Sequence, residues 1–204
     1  MPRPNKTREQ RERLLPIVAR AFAELGYRRA TTAALAERCG VQENILFRLW
    51  PNKKGMFLAA IDHVFGSSAL LWQGLLAKRA PGASAADQLL DYEAEHHGDF
   101  RHYRIIFAGL NELDDPEIAA MLALMYKRFH EFIRLQIAAH RRQAGGAKPG
   151  DLDPGLLAWA FIGLGTVAGI GRELGLLPDA RRKDLIRKAG SFLLDSKDAG
   201  GRRS

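Results

Sequence analysis

The sequence has one cysteine, Cys39, in 204 residues. An intrachain disulfide is therefore impossible and no thiol-rich metal site can form. Its neighbours suggest a small residue packed at a helix end, not a reactive thiol. No stretch alternates apolar and polar residues long enough for a half-buried strand, which argues against a sheet protein. Nucleophile elbow, phosphate-binding glycine loop and zinc-protease helix are all missing, which removes the commonest signposts of an enzyme. The first residues, MPRPNKTREQRER, are charged and lack an apolar core, so no secretory signal is visible and a cytoplasmic location is expected. The run from Gly155 to Gly171 carries no charge at all. It falls just short of the roughly 20 residues of a spanning helix, and its five glycines make it less lipophilic than its length implies. It reads as a buried helix, with no membrane partner.

What is present is positive charge, unevenly placed. The chain carries a net +8. Residues 1–54 hold 12 lysines and arginines against 5 acidic residues, while the remaining 150 residues are nearly neutral at +1. A single charged run is ordinarily a solvated face. Segregation of nearly all the excess into one quarter of a chain points to a polyanion-binding segment.

Apolar residues recur at helical spacing almost throughout, which predicts an all-α fold of about nine helices. Leu14, Ile17, Val18, Ala21, Phe22 and Leu25 make one face of a first helix ending at Gly26, with Pro16 expected to kink it or loosen its first half. Thr31 or Thr32 caps a second helix through Arg38. A third helix of about two turns follows Cys39-Gly40-Val41 and stops at Pro51. A longer helix is expected from Lys54 to Lys78, then helices over 86–97 and 101–113. Asp115-Pro116-Glu117 opens another, through Arg142. After a connector over 144–152, Asp153-Pro154 starts the glycine-rich helix and Pro178-Asp179 the last, through Leu194, leaving the tail AGGRRS disordered. The domain reading is 1–54 for a three-helix DNA-binding unit and 55–204 for a helical effector-binding and dimerisation region.

Thr32 to Leu49 follows the logic of a helix-turn-helix. Ala36 sits where two helices cross closely, and Gly40 sits in the turn, where a positive φ suits glycine. Leu35, Val41, Leu46 and Leu49 are apolar where the pair must pack on the first helix. An ordinary helical hairpin shares such a pattern. Its coincidence with the basic quarter favours nucleic acid.

Across residues 14–60 the sequence resembles the DNA-binding domain of the tetracycline-repressor (TetR) family. The resemblance rests on Ala21-Phe22, Gly26-Tyr27, Thr31-Thr32, Leu35-Ala36, Gly40-Val41, Leu46-Phe47 and Trp50-Pro51-Asn52-Lys53-Lys54. It implies a ligand-responsive transcriptional regulator, usually a repressor, that binds a palindrome in double-stranded DNA as a homodimer. It implies no catalysis, cofactor or metal. Where the family commonly has Thr, Tyr and His groups that bond phosphates, this chain has Ile45, Phe47 and Leu49, which cannot. Phosphate anchoring then falls to Thr32, Arg48, Asn52, Lys53 and Lys54, with the Lys54 amide at a helix start as a further donor. Gln42, Glu43, Asn44 and Arg48 are the expected base readers, because their side chains match base edges in the major groove.

The remaining residues allow more than one reading. Gly165-x-x-x-Gly169 permits close backbone approach, and Trp159 and Ile162 supply apolar area. The same helix serves equally well as a monomer core. The resemblance, with its dimer interface in the last two helices, favours self-association. It also implies an effector pocket in the middle helices, for which Trp72, Tyr92, Glu95, His96, Tyr103, Arg104, Phe107, Asn111, Met121, Met125 and Phe129 are candidates. The effector's identity is unknown. In the implied mechanism it favours a conformation in which the fourth helix swings, so the two reading heads lose their spacing. Two rivals remain. A helical enzyme would have to use His96, His97, His102, Glu93, Glu95 and Asp99, but adjacent histidines on a helix point about 100° apart. A basic helical adaptor would use the hairpin for protein contacts.

Overall fold

The computed structural model describes residues 6–97, 102–146 and 151–195. Every regular element among these residues is helical: α1 (Lys6–Arg29), α2 (Thr32–Cys39), α3 (Glu43–Leu49), α4 (Lys53–Ala77), α5 (Ala85–His96), α6 (His102–Leu110), α7 (Pro116–Gln143), α8 (Pro154–Glu173) and α9. Helix α9 comprises Asp179–Asp184, a π-helical turn over Leu185–Ala189, and Gly190–Leu194. The all-α expectation therefore holds, with most helix ends within a residue or two of those read from caps and prolines. The tail lies outside the described residues, as does the break after His97.

The helix ends have identifiable causes. Thr31, not Thr32, caps α2: its Oγ1 accepts from the Ala34 amide at 3.1 Å. Asp115 caps α7 through the amides of Glu117 and Ile118 at 3.0 and 3.3 Å. Asp153 caps α8, with Pro154 at its first position. Helix α1 continues through Pro16, and its backbone leaves helical geometry at Gly26 instead, with φ 74°. The Thr31 cap yields a direct test: Thr31→Ala should cost about 1 kcal/mol, read as a lower midpoint in thermal or urea unfolding.

The chain divides into two compact units, Met1–Ser68 with Phe100–Tyr126, and Ala69–Asp99 with Lys127–Ser204. Helices α4 and α7 each contribute residues to both.

In the first unit α1 packs against α2, α3 and α6. Leu14, Val18, Phe22, Leu35, Leu46, Trp50, Phe57 and Ile61 are its buried core. The Phe22 ring meets Phe57 edge-on at 4.9 Å, and Tyr27 closes the cluster 4.7 Å from Phe57. Aromatic pairs of this geometry add to the area they bury. This core fixes the angle between α2 and α3.

The second unit is built on Leu90, Ala94, Ile137, Leu157, Ala158, Ala168, Ile186 and Leu194. Helix α5 and α8 both pack against α9. The uncharged run forms α8, but only one of its faces is buried, through Leu157, Ala158, Ala168, Gly169 and Gly171. Its opposite face is open to solvent. Both α4 and α8 are long and apolar enough to cross a membrane by length and composition alone. Each also has a face packed in a core, α4 through Met56, Phe57, Ile61 and Val64.

Candidate nucleic-acid interface

The turn between α2 and α3 is made by the backbone. Gly40 has φ 64° and ψ 34°, in the left-handed region. Its amide bonds the Glu37 carbonyl, and the Val41 amide reaches back to Ala36, both at 3.0 Å. This is a Schellman stop, and it aims α3 away from α2. Ala36 is buried at the crossing, where its small side chain allows the backbones to close.

Helix α3 is anchored by Leu46, Leu49 and the following Trp50, all buried, which leaves its other face free. Gln42, Glu43, Asn44 and Arg48 are all exposed there. The four expected base readers thus share one solvent-facing surface. The Arg48 Nη2 donates to Gln10 Oε1 at 2.8 Å, so a residue of α1 orients the guanidinium. Arg11 lies over the Trp50 ring at 5.7 Å. These α1 contacts were not read from the sequence, because Gln10 and Arg11 precede the family-like stretch and look like part of a solvated charged run.

The phosphate candidates are placed unequally. Thr32 is half-buried at the first position of α2. Asn52 is exposed, and its Oδ1 accepts from the Gly55 amide at 2.8 Å, capping α4. The lysines are engaged inside the chain. Lys53 Nζ donates to the Tyr27 carbonyl at 3.1 Å and sits over the Tyr27 ring at 4.6 Å. Lys54 Nζ bonds Asp115 Oδ2 at 3.2 Å and also pairs with Glu117. Hydrogen bonds to Glu117 and Asp115 raise the Lys54 pKa above the usual lysine value. What these two residues still offer a phosphate is their amides in the first turn of α4, where helix N–H groups lack internal acceptors.

Cys39 is half-buried at the end of α2, and burial pushes its thiol pKa up. That is the opposite of an activated cysteine.

The residues expected around an effector are divided between the two units. Arg104, Phe107, Asn111, Met121 and Met125 belong to the first, as does Tyr103, whose side chain lies outside the description. Met125 is fully buried and Asn111 is exposed. Trp72, Tyr92, Glu95, His96 and Phe129 belong to the second. There Trp72 is buried, stacked on Phe132 at 4.7 Å and edge-on to Phe129 at 5.7 Å. Tyr92 and His96 stack on each other at 4.2 Å on the outer side of α5. Glu95 is exposed too. Hydrogen bonds from Lys183 and Arg187 hold its carboxyl down at about 2. Inward-facing polar groups instead include Gln88 and Glu93 of α5 and His97 at its C-cap. Glu93 accepts from the Trp72 indole at 2.9 Å, while His97 lies 3.2 Å from Glu93 and 2.8 Å from the Gly165 carbonyl. Their four-residue spacing is the signal that would have singled them out.

The same His97 contact shows which way α8 faces. Gly165 and Gly169 look into their own unit, the first bonded by His97 and the second buried. Ile162 is half-buried, whereas Trp159 is exposed.

Residues 19–60 match the family described as "Bacterial regulatory proteins, tetR family". Within residues 19–60 the chain is similar to that family. Its module spans α1 from its middle, α2, α3 and the start of α4, the elements that present the exposed face. The nucleoid occlusion factor SlmA of Pasteurella multocida (strain Pm70) is 26% identical over 145 residues, 68% of this chain and 71% of that protein. Among solved structures, a TetR-family transcriptional regulator from Rhodococcus sp. superposes with a TM-score of 0.74 at 17% identity, covering 91% of this chain and 99% of the other. A transcriptional regulator from Saccharomonospora viridis, solved in complex with choline, gives 0.71 at 21% identity over 92% and 96%. At these identities the likeness is one of fold. The chain therefore shares the fold of these two solved proteins over nine-tenths of its length.

Proposed function

We propose that this chain is a sequence-specific transcriptional regulator that binds a palindromic operator as a homodimer, represses from it, and is released by a small-molecule effector. The observation that carries the reading is the exposed face of α3. Gln42, Glu43, Asn44 and Arg48 stand together on a helix fixed from behind by Leu46, Leu49 and Trp50. Amide side chains bond adenine, arginine bonds guanine and a carboxylate accepts from cytosine, so such a face discriminates sequences. Thr32, Asn52 and the first-turn amides of α4 supply the phosphate anchors that set its register. The concentration of positive charge in residues 1–54 supplies the sequence-independent attraction.

The dimer is proposed through the outer face of α8. Leu156, Trp159, Gly163, Val167 and Ile170 are all exposed, at positions three to four residues apart that form one stripe. On α9, Phe192 is 73% exposed. Gly165 and Gly169 lie roughly opposite the stripe, so apolar side chains rather than close contact at that glycine pair would make the interface. Effector release is supported by the choline carried by one protein of the same fold.

The reading is tested by mixing the full-length chain with a library of random duplexes at near-physiological salt and sequencing what is retained. A palindromic consensus is expected. A retained pool as random as the starting one would reduce the chain to a non-specific DNA binder. Within the consensus, Arg48→Ala should cost about 1–3 kcal/mol of specific binding with little effect on folding or dimerisation. Equal weakening on specific and random duplexes would confine Arg48 to a phosphate contact.

A further inference from the structure

We propose that Phe47 is a specificity-determining residue that reads thymine, its phenyl ring packing on the C5 methyl group in the major groove. The inference rests on the DNA-binding reading of α3 and names a base that its polar residues leave unread. Phe47 is 47% exposed. It is the large hydrophobic side chain that α3 leaves in solvent, since Leu46 and Leu49 are buried and Ile45 is half-buried. Glu43 and Asn44 precede it by four and three residues, which places them beside it on the same helical face, and exposed Arg48 follows it. The ring is thus embedded in the polar surface that would enter the groove.

The chemistry of the groove leaves few partners for such a ring. A phenyl group donates no hydrogen bond, so it cannot anchor a phosphate as a hydroxyl at this position would. The major-groove edges of guanine, adenine and cytosine present acceptors and donors only, and a buried phenyl beside them would leave those groups unpaired. Thymine alone adds an apolar group there, the C5 methyl. Covering both the ring and the methyl removes apolar surface from water on each side at once.

The experiment uses the full-length chain and the duplex consensus selected with it. Each thymine is replaced in turn by deoxyuridine, which removes the methyl and changes nothing else, and affinities are measured for the parent protein and for Phe47→Ala. The expected result is one position per half-site where the parent loses about fourfold, the worth of burying one methyl. At that position Phe47→Ala should show no further loss, while other thymines behave alike in both proteins. An unchanged melting temperature identifies the variant as folded, as the exposure of Phe47 leads one to expect. If no deoxyuridine effect depends on residue 47, the proposal fails even though the chain binds a consensus. Should Phe47→Ala weaken binding equally on every substituted duplex, the ring meets sugar or backbone, and the proposal fails in that way. If the parent selects no consensus, the DNA-binding reading itself has failed and this inference falls with it.

Discussion

Gly40→Val should weaken specific DNA binding about tenfold or more and lower the stability of the N-terminal unit together. The glycine holds φ 64° at the end of α2, and a Cβ built there would meet nothing within 4 Å. The cost is therefore conformational and not a clash. A β-branched residue forced into the left-handed region costs roughly 1–3 kcal/mol. The chain can avoid that cost only by opening the Schellman turn, and then Val41 no longer bonds Ala36 and α3 changes direction. A loss of that size, expressed as a misaimed reading helix, is about tenfold in affinity or more. Fluorescence anisotropy on the selected duplex and thermal unfolding measure the two effects. Gly40→Asn makes the mechanism specific, because asparagine tolerates the left-handed region and should keep most of both. Equal damage from asparagine and valine would show that the turn tolerates no side chain for some reason other than φ.

The second large effect is expected from α8. Replacing Leu156 and Val167 together by glutamate should convert a dimer into a monomer and remove high-affinity binding to the palindrome. Both residues are exposed in the single chain, at 62% and 55%, so the substitutions leave the monomer core untouched. In a twofold interface each change occurs twice, placing four carboxylates on a surface that must dry to form. Burying unpaired charge costs several kcal/mol per group, more than such an interface can spare. Sedimentation gives the mass, and binding to a half-site against the full palindrome gives the functional consequence. Leu70→Glu is the control: that residue is 73% exposed but lies on α4, and its replacement should leave the mass unchanged. An unaltered mass in the α8 variant would move the interface elsewhere.

The helical plan was legible because its boundaries are chemical. Thr31, Asp115-Pro116 and Asp153-Pro154 mark starts, while Gly26 and Gly40 mark breaks, and each does so through a bond or a φ visible in the structure. The exposed face of α3 was legible in part: periodicity puts Leu46 and Leu49 inward and Asn44 and Arg48 outward, whereas Gln42, four residues before Leu46, is exposed because it is the N-cap outside the helix. What the sequence hid were the uses of long side chains. Lys53 and Lys54 look like free cations in a basic segment, yet one caps a cation–π contact with Tyr27 and the other pairs with Asp115 and Glu117, some sixty residues away. No local pattern encodes a pair so distant. Helix α8 misled differently: its lack of charge suggested burial all round, and its glycines suggested a contact face. In the structure Gly169 is buried while Val167 and Ile170 are exposed, because an apolar helix has no polar residues to announce which side faces water. Helix α5 shows the converse, with Glu95 and His96 outside and Glu93 and His97 inside, a distinction of two residues that composition cannot make.

Specific recognition of DNA is the central claim, and one comparison of affinities tests it most directly. The full-length chain is titrated with its selected duplex and with a scrambled duplex of the same composition, at near-physiological salt. Specific regulators typically prefer their sites by about a thousandfold or more, and the exposed face of α3 leads us to expect a ratio of that order. A ratio near one, from folded dimeric protein, would contradict sequence-specific regulation and leave only the charge of residues 1–54 to account for any binding.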